Sequence, residues 1–191
     1  MPRPIPVFQA NRITLRPPNP EEDARDYFTL NLDPDMPAGS SDFSLASVDD
    51  ARDELERILA LPLISTWMVV ENLSKRVVGR FFLCLEDRDG ARVAGEGNRF
   101  ARPYWRKGYN LDARNLLLPY VFGELAADWI ETAVWEENET AIEAITASGF
   151  QLHHKEIEWN ERQASEMAMH HYVLTQEQWR TKQGAKRVYA H

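Results

Sequence analysis

The sequence predicts a mixed α/β (α+β) domain, built on a strongly twisted mixed sheet with helices on both faces. Three observations lead there. Apolar residues switch between the period-2 spacing of strands and the 3.6-residue spacing of helices along the chain. Three strand-like segments follow one another between Trp67 and Phe100, and helix and strand alternate after them. No internal repeat, low-complexity tract or linker divides the 191 residues. Composition agrees: 43% of the residues are hydrophobic, ample for a core and too apolar for a disordered chain. The 22 Lys and Arg against 30 Asp and Glu give a net charge of −8. That balance argues against general nucleic-acid binding and is compatible with a cationic substrate such as an amine. Cys84 is the sole cysteine, which excludes an intramolecular disulfide and a multi-cysteine zinc site. No apolar run is long enough to span a bilayer, and the proline-rich start offers no signal-peptide core, so a cytoplasmic location is expected.

Element by element, residues 1–10 read as an extended tail and Ile13–Pro17 as a short strand. Asn19 caps a helix with Pro20 at its first position and Glu21, Glu22 and Asp23 in its first turn, running towards Asp33-Pro34. A loop rich in Pro, Gly and Ser follows, then a helix from about Val48 to Leu61 with Ala51, Leu55, Ile58 and Leu59 on one stripe. Trp67–Glu71, Val77–Glu86 and Ala91–Phe100 are strands, with a turn at Asp87–Gly90. Lys107-Gly108 to about Ala126 is helical, although Pro119 predicts a kink or break near Leu116. Ile130–Trp135 is a strand, Glu139–Ala147 a helix closed by Gly149, and Gln151–Trp159 and Met167–Thr175 two late strands. Residues 11–180 make a single domain, and 181–191 a basic C-terminal tail.

Chemistry concentrates between Arg99 and Leu111. Arg99, Arg102, Arg106 and Lys107 place four cations within nine residues, where the chain average gives about one. They sit where a strand hands over to a helix, and Gly108 allows close backbone approach. Unpaired amides and the positive end of a helix dipole make such an elbow a phosphate site. A solvated basic turn with an ordinary cap fits the same residues. A second window, Asn138 to Phe150, reads as a capped helix ending at a left-handed glycine.

In order and spacing, these windows resemble the GCN5-related N-acetyltransferase (GNAT) superfamily, most closely its RimJ/RimL-like branch of ribosomal-protein alanine acetyltransferases. Tyr104-Trp-Arg-Lys-Gly-Tyr-Asn110 matches the branch's Tyr-Trp-x-x-Gly-Tyr-Ala segment. Asn138 and Gly149-Phe150 match its Asn-x-x-Ser helix ending in Gly-Phe. Leu15-Arg-Pro17, Glu21-Glu-Asp-Ala24 and Asp33-Pro34 match its opening strand and helix. The resemblance implies a fold whose two central parallel strands splay apart to admit the pantetheine arm of acetyl-CoA. It places that arm on Arg99, Phe100 and Ala101, the pyrophosphate on the amides of Arg106, Lys107, Gly108, Tyr109 and Asn110, and Asn138 near the pantetheine. It makes a homodimer plausible. Asn110 stands where the family has Ala or Gly, which suggests a wider turn.

The implied reaction is acetyl transfer from acetyl-CoA, the co-substrate, to a primary amine such as a protein N-terminus or a small molecule. It needs a base for the amine proton and an acid for the leaving thiolate. Glu131 and Glu96 are the candidate bases; burial between strands would raise their pKa, and a solvent-facing or Arg-paired role is the alternative for each. The family's usual acids are missing, since Ala141 and Ile145 replace a serine and a tyrosine. Thr140 and Tyr109 are the nearby hydroxyls, and the thiolate could also leave unprotonated. That gap motivates the alternative of a catalytically inactive CoA-binding sensor. His153-His154 and His170-His171 predict no metal site, because neighbours on a strand point to opposite faces. No metal, nucleic acid or membrane partner is expected. The loop Met36–Val48 and the late strands would shape the acceptor pocket.

Overall fold

The computed structural model describes residues 4–32, 45–160 and 163–188. Most of the Met36–Val48 loop therefore lies outside the described residues. Eight strands form one open mixed sheet in the order β1-β2-β3-β4-β5-β6-β8-β7. The chain divides into two compact units, Met1–Cys84 with Gly97–Leu116, and Leu85–Glu96 with Leu117–His191.

The first unit begins with β1 (Phe8–Gln9) and β2 (Ile13–Arg16), then α1 (Pro20–Asn31) and α2 (Val48–Leu59). Asn19 caps α1 as expected, accepting from the Glu22 amide, and Ser47 does the same for α2 at Asp50. β3 (Ile64–Glu71) pairs antiparallel with β2 and with β4 (Val77–Arg88). Alternation along β3 separates two cores. Met68 and Val70 pack with Tyr27, Leu30, Leu55 and Ile58 beneath α1 and α2. Trp67, fully buried, stands opposite Phe81, whose ring meets Phe100 edge-on and receives the Arg114 guanidinium 5.8 Å away. Because Arg114 belongs to α3 (Tyr109–Gly123), helices cover both faces of this part of the sheet. Fully burying side chains of this size contributes roughly 1.5–3 kcal/mol each.

β5 (Ala91–Phe100) follows β4 through Asp89-Gly90, both at positive φ (51° and 83°). The expected four-residue turn is thus a two-residue hairpin, the Asp-Gly form that matches strand twist.

In the second unit, β5 runs parallel to β6 (Trp129–Trp135) over three pairs, from Val93↔Trp129 to Gly95↔Glu131. β6 then pairs along its whole length with β8 (Ser165–Thr175), which carries β7 (Gln151–Asn160) on its other side. Between β6 and β7, α4 (Glu139–Ser148) is capped by Asn138 and ends at Gly149 with φ 104°, the left-handed cap the sequence indicated.

Two expectations are revised. Of the kink or break expected near Leu116, the break does not occur: α3 runs from Tyr109 to Gly123 with Pro119 inside it. The lost hydrogen bond costs about 3 kcal/mol, and burial of Leu117, Leu118, Tyr120, Val121 and Phe122 around it outweighs that. The chain after Thr175 forms α5 (Gln176–Val188), extending into residues that composition alone assigned to a tail. Lys182 donates to the Ala147 carbonyl, and the Phe122 and Trp179 rings lie 5.2 Å apart, so α5 is anchored.

Candidate active site

The cationic elbow lies wholly in the first unit. β5 ends at Phe100, and the Ala101 amide is held by the Val78 carbonyl. A 3-10 turn (Arg102–Tyr104) follows, and the Trp105 indole donates back to the Phe100 carbonyl at 2.6 Å. Arg106 and Gly108 both take positive φ (57° and 80°), folding the chain sharply before α3. The first bond of the α3 ladder runs from the Asp112 amide to the Gly108 carbonyl. Amides from Gly108 to Leu111 therefore precede the ladder, the set that an anion uses. Arg106 and Lys107 are exposed beside them.

Side chains that no local sequence pattern announces hold this elbow in shape. Arg12, just ahead of β2, donates to the Lys107 carbonyl at 2.9 Å and forms an ion pair with Asp112 at 2.6 Å. Its guanidinium also lies 4.8 Å from the centre of the Tyr109 ring. Neutralising Asp112 matters, because an unpaired acid in the first turn of α3 would repel an anion. Tyr109 is buried and donates through a short hydrogen bond to Glu71 at the end of β3. Hydrogen bonds from Ser74 and then Tyr109 hold the Glu71 carboxyl below its ordinary range, and the same bond from Tyr109 raises the phenol. With its proton committed to Glu71, Tyr109 acts as a strut.

Asn110, the departure from the family pattern, turns its amide nitrogen onto the Asn98 side chain of β5 at 2.6 Å. The bulk that was expected to widen the turn thus goes to the strand behind it. Its Oδ1 is buried without a hydrogen-bond partner. Arg99 points to the opposite face and donates to Asn31 at the end of α1. Strand closeness explains the glycines here: a Cβ on Gly79 would lie 2.6 Å from the Phe100 ring and 2.7 Å from the Arg99 carbonyl, and one on Gly97 2.2 Å from the Phe82 ring.

The carboxylates belong to the second unit. Glu131 on β6 takes a two-pronged hydrogen bond from Arg88 at 2.9 and 3.1 Å. Burial pushes its pKa up, but the Arg88 bonds, a contact from Trp129 and the Arg88 charge prevail, so the net shift is downward. The raised pKa expected of Glu131 is thereby corrected. Glu96 on β5 is buried, at 8% exposure, and its backbone carbonyl accepts from the buried Thr132 hydroxyl. Asn138 spends its Oδ1 on the Ala141 amide at 3.1 Å, leaving its Nδ2 as a donor. Cys84 is a half-buried, reduced thiol on β4.

Among curated proteins none matches the chain in sequence. Among solved structures, a GCN5-related N-acetyltransferase from Brucella melitensis shares 18% identity over 98% of this chain and 88% of its own, with a TM-score of 0.77. A ribosomal-protein alanine acetyltransferase from Vibrio fischeri shares 17% over 91% of this chain and 98% of its own, with a TM-score of 0.77. A chimera of spermidine N-acetyltransferase from Vibrio cholerae with hSSAT shares 19% over 90% and 99%, with a TM-score of 0.72. At these identities the likeness is one of fold. The family model described as the acetyltransferase (GNAT) domain matches residues 12–151, from the arginine that latches the elbow to the start of β7. The chain therefore belongs to the GNAT acetyltransferases, a membership that implies acetyl-CoA as co-substrate.

Proposed function

We propose that this protein transfers an acetyl group from acetyl-CoA to a primary amine, in the manner of the RimJ/RimL branch. On this reading residues 11–180 act as one catalytic domain. The observation that carries it is the elbow itself: Gly108 at φ 80°, pre-ladder amides from Gly108 to Leu111, and Arg106 and Lys107 alongside. These residues fit a diphosphate. The elbow presents donors and positive charge on a protein of net charge −8, and its own acid, Asp112, is neutralised by Arg12. When bound, acetyl-CoA supplies the activated acyl group as a thioester.

The chain's own residues divide the remaining tasks. The backbone of Arg99, Phe100 and Ala101 lines the pantetheine arm, the Ala101 amide itself being held by Val78, with the Asn138 amide as a further donor. Glu96 accepts the amine proton. Its burial on β5, the strand that leads to the elbow, supports that choice. The acceptor is a protein N-terminus or a small polyamine-like amine. Neighbours named for a ribosomal-protein alanine and for spermidine support both, and the acidic surface favours a cationic acceptor.

Reversing charge at Arg106 and Lys107 (Arg106→Glu, Lys107→Glu) should weaken CoA binding at least about tenfold, as measured by calorimetry. Arg180→Glu on α5 should leave it unchanged. Equal effects would remove the phosphate assignment. Thiol release should follow when acetyl-CoA meets a panel of amines. CoA binding with no turnover on any amine would turn the reading towards a binding module.

A further inference from the structure

The hairpin β7–β8 gathers imidazoles and carboxylates that acyl transfer does not use. Sequence alternation argued against a metal here by assigning adjacent histidines to opposite faces, but two features of the hairpin bring rings together. A bulge between Leu152 and His154 leaves His153 outside the register, so its Nδ1 comes within 2.8 Å of Nδ1 of His154. Antiparallel pairing also sets His154 opposite His171, so each pair contributes a ring to the same place. Those two rings stack with centroids 4.3 Å apart and planes within 5°. Glu156 follows two residues after His154 on the same face, and the ligating atoms of His154, Glu156 and His171 all lie within 4.8 Å of one another. The Nε2 of His171 is shielded from solvent and makes no hydrogen bond. It nevertheless stands 3.1 Å from Glu156 and 3.7 Å from Glu158.

We propose that His154, Glu156 and His171 bind a divalent transition-metal ion of the zinc class. Two imidazoles and a carboxylate suit zinc, whereas magnesium and calcium select all-oxygen sites. Bond lengths of about 2.0–2.2 Å separate tetrahedral donors by roughly 3.4 Å. The His171–Glu156 distance is already close to that, and the exposed side chains of His154 and Glu156 complete the set by rotating, which turns the His154 ring out of its stack on His171. His153 orients the site: with the His154 Nδ1–H donating to His153, the Nε2 lone pair of His154 is left for the ion. Glu158 adds negative charge, and the fourth position takes water. The bound ion would clip β7, the outermost strand, to β8.

The test uses the full chain without an affinity tag. Zinc titrated by calorimetry should give a single saturable ion per chain. His154→Ala and His171→Ala should each weaken it at least about tenfold, and His170→Ala on the opposite face should not. Cobalt should give a visible absorption band that both site variants lose. Zinc should also raise the melting temperature of the unaltered chain and not that of the double variant. Absence of saturable binding, or undiminished binding in both site variants, would overturn the proposal.

Discussion

Glu96 and Glu131, the two proposed bases, differ in surroundings: one is buried on β5, the other is paired with Arg88 on β6. A base must lie within reach of the amine and hold the proton it takes. Arg88 stabilises the Glu131 anion, while Glu96 is buried in the strand that leads to the elbow. Glu96→Gln should therefore lower kcat by about 10²-fold or more with CoA affinity unchanged. Glu131→Gln should leave kcat within a few-fold in the same steady-state assay. Glu71 makes a separate, structural prediction. Its folded pKa is depressed, so its stabilising effect is complete above the ordinary carboxylate value and is lost as pH falls through the lowered one. Urea unfolding of the unaltered chain and of Glu71→Gln should accordingly differ at neutral pH and converge in acid.

At the scale of elements, close strand approach is what glycine makes room for. Gly79→Ala would press a methyl against the Arg99 carbonyl, which is backbone and cannot swing aside. It should cost about 1–3 kcal/mol in denaturant unfolding and weaken CoA binding by shifting the end of β5. Most elements were readable because their signals are local. Asn19 before Pro20, Gly149 after an apolar stripe and Asp89-Gly90 between alternating runs each act within a few residues. The elbow was legible for the same reason. What holds it was not: Arg12 and Asp112 lie 100 residues apart, and Tyr109 and Glu71 lie 38 apart. Such pairs leave no periodic trace. Pro119 misled in the other direction, since its local penalty was readable and the burial that offsets it was not. The histidines show a third case: which rings meet across β7 and β8 follows from strand pairing and a one-residue bulge, neither of which alternation along one strand reveals.

The chain is acidic overall with cations gathered at the elbow, and its strand order begins at β1 and ends at β7. No helix among the described residues is long and apolar enough to cross a membrane. At the sheet's outer margin, β7 exposes Ile157 and Trp159, at 66% and 55%, next to a row of backbone groups. An even strand of that kind is a template on which other chains can stack sideways into fibres. His153 interrupts it. The extra residue curls the margin, so that an incoming chain loses register after a few rungs. Deleting His153 should restore the even ladder, and sedimentation should then detect more assembly than in the unaltered chain. A single surplus amino acid is thus what breaks the pairing pattern near the start of this margin.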